Sequence, residues 1–477
     1  MVEESLKSKT VKGVIWNGMG SFSAQGIHFI VMLVIARILS PKDFGLVGML
    51  AVFIEIAQSF VDSGFSQALI RKQNRSDVDN CTIFFFNILV ASLLYIILFL
   101  MAPWVASFYN EPQLLVLMRV LCLIIVINSF NCVQNALFTS KIDFKTIAKV
   151  TIISALMSGI VGVYMALKGM GVWTLVWQQL IDAFIRTILL WFYSSWFPRL
   201  SYSWKSFKEL FSFGSKLLVS GLLETLYKNM YTLVIGKVFS ASSLGFYTQA
   251  NRFTLFPSAN LTSVLQRVTY PVLCKLQNDE LALQNAYRRL LRVSAFIIFP
   301  LMCLLAGVST PLVELILGRK WLFAATLIVP LCFSMMWFPI HSINLNLLEV
   351  KGRSDLFLKV EIIKKVIGVA ILVFSIQFGL LAMCWIGILG SLISLIVNTY
   401  YTGKLIKVGF LVQMRDLSGT LITSLLTFCL AWAVTLFVKG VIIQLIIGVV
   451  AGSVFFVGTC FLFRFKEIEF LKSIVRQ

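Results

Sequence analysis

Residues 33–40 read Leu-Val-Ile-Ala-Arg-Ile-Leu-Ser and lead on to Phe44-Gly45; residues 233–240 read Leu-Val-Ile-Gly-Lys-Val-Phe-Ser and lead on to Leu244-Gly245. The shared pattern is three aliphatic residues, a small one, a base, two apolar residues and a serine, with glycine five positions later. Each copy closes one long apolar stretch and opens the next. Six such stretches, an even number, separate the copies, so both enter a membrane in the same orientation. That is the signature of parallel repeats related by an axis along the membrane normal.

Working outward, the rest of the chain has the composition such a repeat needs. Of its 477 residues 59% are hydrophobic and 13% are charged. A soluble protein carries about a quarter charged residues, so a soluble enzyme, a disordered chain and a nucleic-acid-binding domain are excluded. A helix crosses the hydrocarbon core with about 20 apolar residues. Fourteen stretches qualify, at approximately 13–38, 44–69, 80–102, 114–138, 147–167, 171–193, 211–238, 245–275, 291–313, 321–349, 357–377, 380–402, 417–438 and 440–463. The first is too long for a signal-peptide core and lacks a small-residue cleavage site, so it stays as a span. The expected fold is an all-α polytopic membrane protein. It has two six-helix parallel-repeat lobes, 1–200 and 201–402, and two further helices with a tail over 403–477. Two lobes facing a common cavity is the design of an alternating-access carrier.

The charges test this count. With the N-terminus inside and spans alternating, 29 of the 41 Lys and Arg fall in inner segments, 7 in outer segments and the rest within spans. That is the positive-inside bias. The formal charge of +20 is therefore mostly topology and not a polyanion site. Nine cysteines without a C-x-x-C, and only two histidines, read as apolar packing and neither disulfides nor metal ligands.

Ionisable groups inside a span normally face a cavity or a partner. The first span carries several glycines, which allow it to bend, together with Gln25 and His28. The second has Glu55, Ser59, Asp62 and Ser66 on one face; the seventh has Ser220, Glu224, Lys228 and Tyr231; the eighth has Asn251, Arg252 and Arg267 around Pro257. Spans 1, 2, 7 and 8 are thus expected to line the cavity. The i, i+4 spacing of Glu224 and Lys228, and of Asp182 and Arg186, also fits simple neutralisation. Arg119 is placed to snorkel toward headgroups. Arg252 and Arg267 have no acid at i±3 or i±4, which points to an anion in a wet cavity. Proline at 257, 300, 330 and 339 bends second-lobe spans, whether for rocking or as static kinks.

No P-loop, G-x-S-x-G or H-E-x-x-H is present, and no outer connection is long enough for an envelope polymerase or ligase, the enzyme alternative. The segments SPKDFGLVGMLAVF (40–53), FVDSGFSQALIRK (60–72), SFYNEPQL (107–114), LGFYTQANRFTLFP (244–257), QRVTYPVLCKLQND (266–279) and NLLEVKGRSD (346–355) resemble the polysaccharide transporter family of lipid-linked oligosaccharide flippases. The resemblance runs over nearly the whole chain. It implies a flippase in the multi-pass inner membrane of a bacterium, with both termini cytoplasmic. It would turn undecaprenyl-diphosphate-linked repeat units to the outer leaflet for exopolysaccharide or O-antigen-like polymers. It implies membrane lipids, a polymerase and chain-length machinery as partners, and no nucleic acid. The related lipid II flippase uses basic residues on its first, second and eighth spans. Here Gln25 and His28 stand in the first and acids in the second, which moves the expected diphosphate–glycan site to Arg252, Arg267, Lys228, Asn251 and Tyr231, with Gln25 and His28. No catalytic residue, metal or cofactor is expected. Glu55, Asp62 and Glu224 are candidates for coupling to a proton or sodium gradient. They also suit the alternative reading, a cation-coupled multidrug antiporter on the same fold.

Overall fold

The computed structural model describes residues 6–62, 65–72, 75–465 and 467. The chain divides into two compact units, Met1–Gly245 and Phe246–Gln477. The first contains α1 (Leu6–Ile38), α2 (Pro41–Asp62), α3 (Phe65–Arg71), α4 (Asp77–Tyr109), α5 (Gln113–Leu121), α6 (Leu123–Ser129), α7 (Cys132–Ser140), α8 (Phe144–Leu167), α9 (Val172–Tyr193) and α10 (Trp204–Val238). α11 (Ala241–Lys275) runs across the border. The second contains α12 (Glu280–Gly307), α13 (Ser309–Ile316), α14 (Leu322–Met335), α15 (Phe338–Val350), α16 (Ser354–Ser375), α17 (Leu380–Ile406), α18 (Phe410–Phe437) and α19 (Val441–Leu462). There is no strand among the described residues.

Among the described residues, nine helical stretches are long and apolar enough to cross a membrane, or ten when the bent α5–α7 segment is one span. Helices α1, α10, α11 and α16 stand at the remaining expected positions, with 33, 35, 35 and 22 residues. In α10, α11 and α16 charged and amide side chains hold the helix below that apolar standard, and α1 contributes a shorter apolar stretch, Phe22–Ile38. The chain is a multi-pass, all-α membrane protein.

Helix ends follow the local chemistry. Ser76 caps α4 in a box with Asp79, Asp143 caps α8, and Asp279 caps α12 through the amides of Leu281 and Ala282. Each caps N–H groups that the first turn leaves unbonded. Asn110 ends α4 in the left-handed region. The expected fourth span is not one straight helix. It breaks into α5, α6 and α7 and bends by 40°. Side chains of α9 cap the exposed carbonyls of the break: Trp191 Nε1 donates to Phe130 O at 3.1 Å, and Thr187 Oγ1 to Ile127 O at 3.4 Å.

In the first unit α1 lies along α8, and α10 packs on α2, α3 and α4. α1 runs as one continuous helix from Leu6 to Ile38. Gly20 permits close approach, because a Cβ there would sit 2.3 Å from Ala148 Cβ. In the second unit α12 lies along α18, α16 and α14 pack on α17, and α19 packs on α18 and α13. Trp321, Tyr287 and Phe299 are buried there. Seven of the nine cysteines are buried and all are free thiols. That fits their reading as packing residues.

Candidate functional site

The polar face of α2 meets the polar face of α10. Both faces use i, i+4 spacing, which stacks side chains on one side of a helix. Ser59 Oγ lies 2.9 Å from Thr225 Oγ1, and Asn229 Nδ2 donates to Glu55 Oε2 at 2.8 Å and to Thr225 O at 3.0 Å. Lys228 Nζ stands 3.9 Å from the same Glu55 oxygen, with the two side chains 68% and 46% exposed. An open pair at that distance is weak. The carboxylate is therefore held mainly by a neutral amide, with the ammonium in a weak, open ion pair beside it.

Lys228 thus faces Glu55 across the helix interface. Glu224 is exposed on the same helix, and Tyr231 is half-buried one turn further on. The Asp62 side chain lies outside the described residues. On α1, Gln25 is exposed and His28 is half-buried. The expected ion pair between Asp182 and Arg186 does not form. Asp182 instead accepts a hydrogen bond from Ser158 Oγ at 3.3 Å, since α9 packs against α8. Arg119 lies over the Phe99 ring, 4.3 Å from its centroid, in a cation–π contact that holds it against α4.

The repeated sequence has a structural meaning. Ser40 and Ser240 occupy the same place before α2 and α11. Ser40 Oγ donates to Asp43 Oδ2 at 2.6 Å, and Ser240 Oγ accepts from the Ser243 amide at 3.0 Å. The glycines that follow are where the two first turns cross. A Cβ on Gly45 would fall 1.6 Å from Ala241 O, and one on Gly245 would fall 1.8 Å from Pro41 O. Only a residue without a side chain fits either place. Around this crossing Lys42 pairs with Glu111 at 3.0 Å, and Lys237 Nζ donates to Phe108 O at 2.5 Å.

In the second unit α11 carries Arg252 and Arg267, both exposed, and Asn251, half-buried. At about 100° per residue the two arginines share one flank of the helix. Neither pairs with a carboxylate among the described residues. The side of the helix that adjoins Arg252 is bound into the bundle: Ser258 Oγ donates to Met335 O at 2.9 Å, and Gln266 Nε2 donates to Ser342 Oγ.

Sequence reasoning missed Asn229, although its position four residues after Thr225 on a polar face was visible. It also missed a buried amide network in the second unit. Gln413 Nε2 lies 3.1 Å from Tyr287 Oη, Asn344 Oδ1, Thr402 Oγ1 and Val408 O, which share its two N–H donors, and Tyr287 Oη donates to Asn344 Oδ1 at 2.8 Å. This ties α12, α15, α17 and α18 together at one point. No group of three or more His, Cys, Asp or Glu side chains that could hold a metal occurs among the described residues.

A multi-pass helical chain with bases on its spans and a repeated pair of crossing helix starts defines an all-α polytopic membrane protein. The profile of the polysaccharide biosynthesis protein family matches residues 34–326, more than half of the chain. The chain belongs to that family. It is 24% identical to the teichuronic acid biosynthesis protein TuaB of Bacillus subtilis, over 96% of this chain and 95% of that one. It is 23% identical to the succinoglycan biosynthesis transport protein ExoT of Rhizobium meliloti, over 95% and 93%. In fold it is similar to the lipid II flippase MurJ in an inward closed conformation, with a TM-score of 0.73 at 14% identity, covering 94% of this chain and 99% of that one.

Proposed function

We propose that this protein flips undecaprenyl-diphosphate-linked oligosaccharide from the inner to the outer leaflet of the bacterial cytoplasmic membrane, by alternating access of two repeat-related halves. The observation that carries this reading is the pair Arg252 and Arg267: two exposed bases on one flank of a helix, neither spent on a carboxylate among the described residues. A diphosphate is an anion that such guanidinium groups bind through charge-assisted hydrogen bonds. Lys228 joins them in this reading, and Gln25, His28, Asn251 and Tyr231 contact the glycan. Family membership and the transport named for ExoT support the same substrate class. The protein acts as a transporter and makes no covalent bond. Its termini are cytoplasmic, and it works beside the polymerase and chain-length machinery that use its product.

Glu55, with Asp62 and Glu224, is the place for coupling to a proton or sodium gradient. A carboxylate that exchanges a cation for Lys228 can bias two conformations, because a ligand shifts an equilibrium by its differential affinity. The test is leaflet-resolved movement of a lipid-linked oligosaccharide in vesicles. Arg252→Ala and Arg267→Ala should each lower the rate about tenfold or more at unchanged protein level. Full translocation by both variants would remove the anion site, and translocation indifferent to both the proton and the sodium gradient would remove the coupling.

A further inference from the structure

The connection between α9 and α10 is not a plain loop. Residues 194–203 carry no helix, yet their backbone is pinned to α4: the Ser203 amide donates to Thr82 Oγ1 at 3.1 Å and the Arg199 amide donates to Cys81 Sγ at 3.3 Å. Trp196 packs inward on Phe84, while other apolar side chains of this stretch point outward. Leu200 is 97% exposed, Trp204 68% and Phe197 64%. Trp204 stacks on Phe207 with ring centroids 5.1 Å apart, Phe207 packs on Phe86 at 4.8 Å, and Phe86 packs on the buried Phe65 at 5.0 Å. An aromatic column therefore holds Trp204 up from the core.

Between and beside these residues stand Arg199, Lys205 and Lys208, all exposed, and none has an anionic partner among the described residues. The neighbouring acid, Glu209, is taken by Lys72 at 3.0 Å. Exposed Trp and Leu interleaved with unpaired bases is the chemistry of a surface that lies in the headgroup region, its apolar groups in the acyl boundary and its cations among phosphates. A water-facing loop would gain nothing from presenting Leu200 on a fixed backbone.

We infer that residues 197–208 form an anchor for anionic phospholipid, which holds the entry to α10 at the membrane surface. The inference goes beyond the transport reading and does not depend on it. The occupant is the anionic bilayer and not the transported glycan, because Leu200 and Phe197 offer no polar group to a sugar while three cations complement phosphates. Each cation near an anionic surface strengthens attachment about fivefold.

The experiment uses the full chain in vesicles, with Cys274 and Cys429 replaced by serine and Leu200→Cys carrying a nitroxide. Accessibility to oxygen and to a water-soluble nickel chelate reports depth. In phosphatidylcholine mixed with phosphatidylglycerol the label should be oxygen-accessible and shielded from nickel, and it should lie shallower in phosphatidylcholine alone. Arg199→Gln, Lys205→Gln and Lys208→Gln together should abolish that difference between lipids. A second label at Leu411, also exposed but on the second unit, should not respond to those three substitutions. The inference is overturned if Leu200 is nickel-accessible in both lipids, if its depth ignores lipid charge, or if it changes only on adding a lipid-linked oligosaccharide. Translocation need not be measured, so failure here and failure of the transport reading are distinct results.

Discussion

Glu55 has two neighbours of different kinds, a buried amide at 2.8 Å and an exposed ammonium at 3.9 Å. The amide sets the position of the carboxylate; the ammonium sets how much its charge matters. Glu55→Gln keeps an oxygen for Asn229 and removes the charge, so it should leave the thermal midpoint of the purified protein nearly unchanged and suppress gradient-dependent transport. Asn229→Leu removes the donor and leaves the carboxylate short of a partner. It should cost about 1–3 kcal/mol, read from the same melting curve. Polarity on one face of α2 and α10 was visible from spacing alone. That Asn229 and not Lys228 grips Glu55 was not, because periodicity assigns a face and not a distance.

At the scale of elements, the first turns of α2 and α11 cross in close backbone contact at Gly45 and Gly245. Gly45→Ala and Gly245→Ala each place a carbon inside a carbonyl oxygen's radius, so backbone must move. Overpacking of this kind costs about 1–3 kcal/mol, occasionally more, and each variant should melt earlier and lose stable expression. Gly26→Ala on α1 is the control, since no atom lies within 4 Å of its Cβ; it should melt like the parent. The repeat was legible as letters. Its cause was not: serine recurs because each second helix needs a cap, and glycine recurs because two helix starts occupy nearly the same space. The break between α6 and α7 was illegible for a related reason. Phe130 and Asn131 are no helix breakers by propensity, and the bend is held by Trp191 and Thr187 of a helix some sixty residues away.

At the scale of the whole molecule, the second unit carries a buried knot that joins four of its helices. Tyr287→Phe deletes one hydroxyl that donates to Asn344 and accepts from Gln413. Gln413→Leu deletes the residue that joins four helices. The first should lower stability by about 1–3 kcal/mol and the second by more, measured by thermal unfolding of each variant in one detergent. At the start of α16, outside the membrane core, the Arg353 guanidinium bonds the Asp355 carboxylate at 2.7 Å and holds its pKa down to about 2. A carboxyl depressed in the folded state stabilises above its unfolded pKa, about 3.9, and loses that contribution as pH falls toward 2. Hydrogen-exchange protection at the first turn of α16, corrected for the intrinsic pH dependence of exchange, should therefore fall between those limits, and Asp355→Asn should remove the dependence.

Hydropathy, the bias of bases between alternate connections and the repeat of residues 33–45 at 233–245 determined a polytopic helical protein, because the bilayer admits few backbone solutions and each leaves a periodic mark. Which polar groups pair was decided only by the tertiary structure. Lys228 turned to Glu55, Asp182 to Ser158 and Arg119 to Phe99, each to a partner outside its own helix. Spacing along a helix lists the groups that share a face, but the partner is whatever a neighbouring helix brings into contact, and that depends on the packing of the bundle.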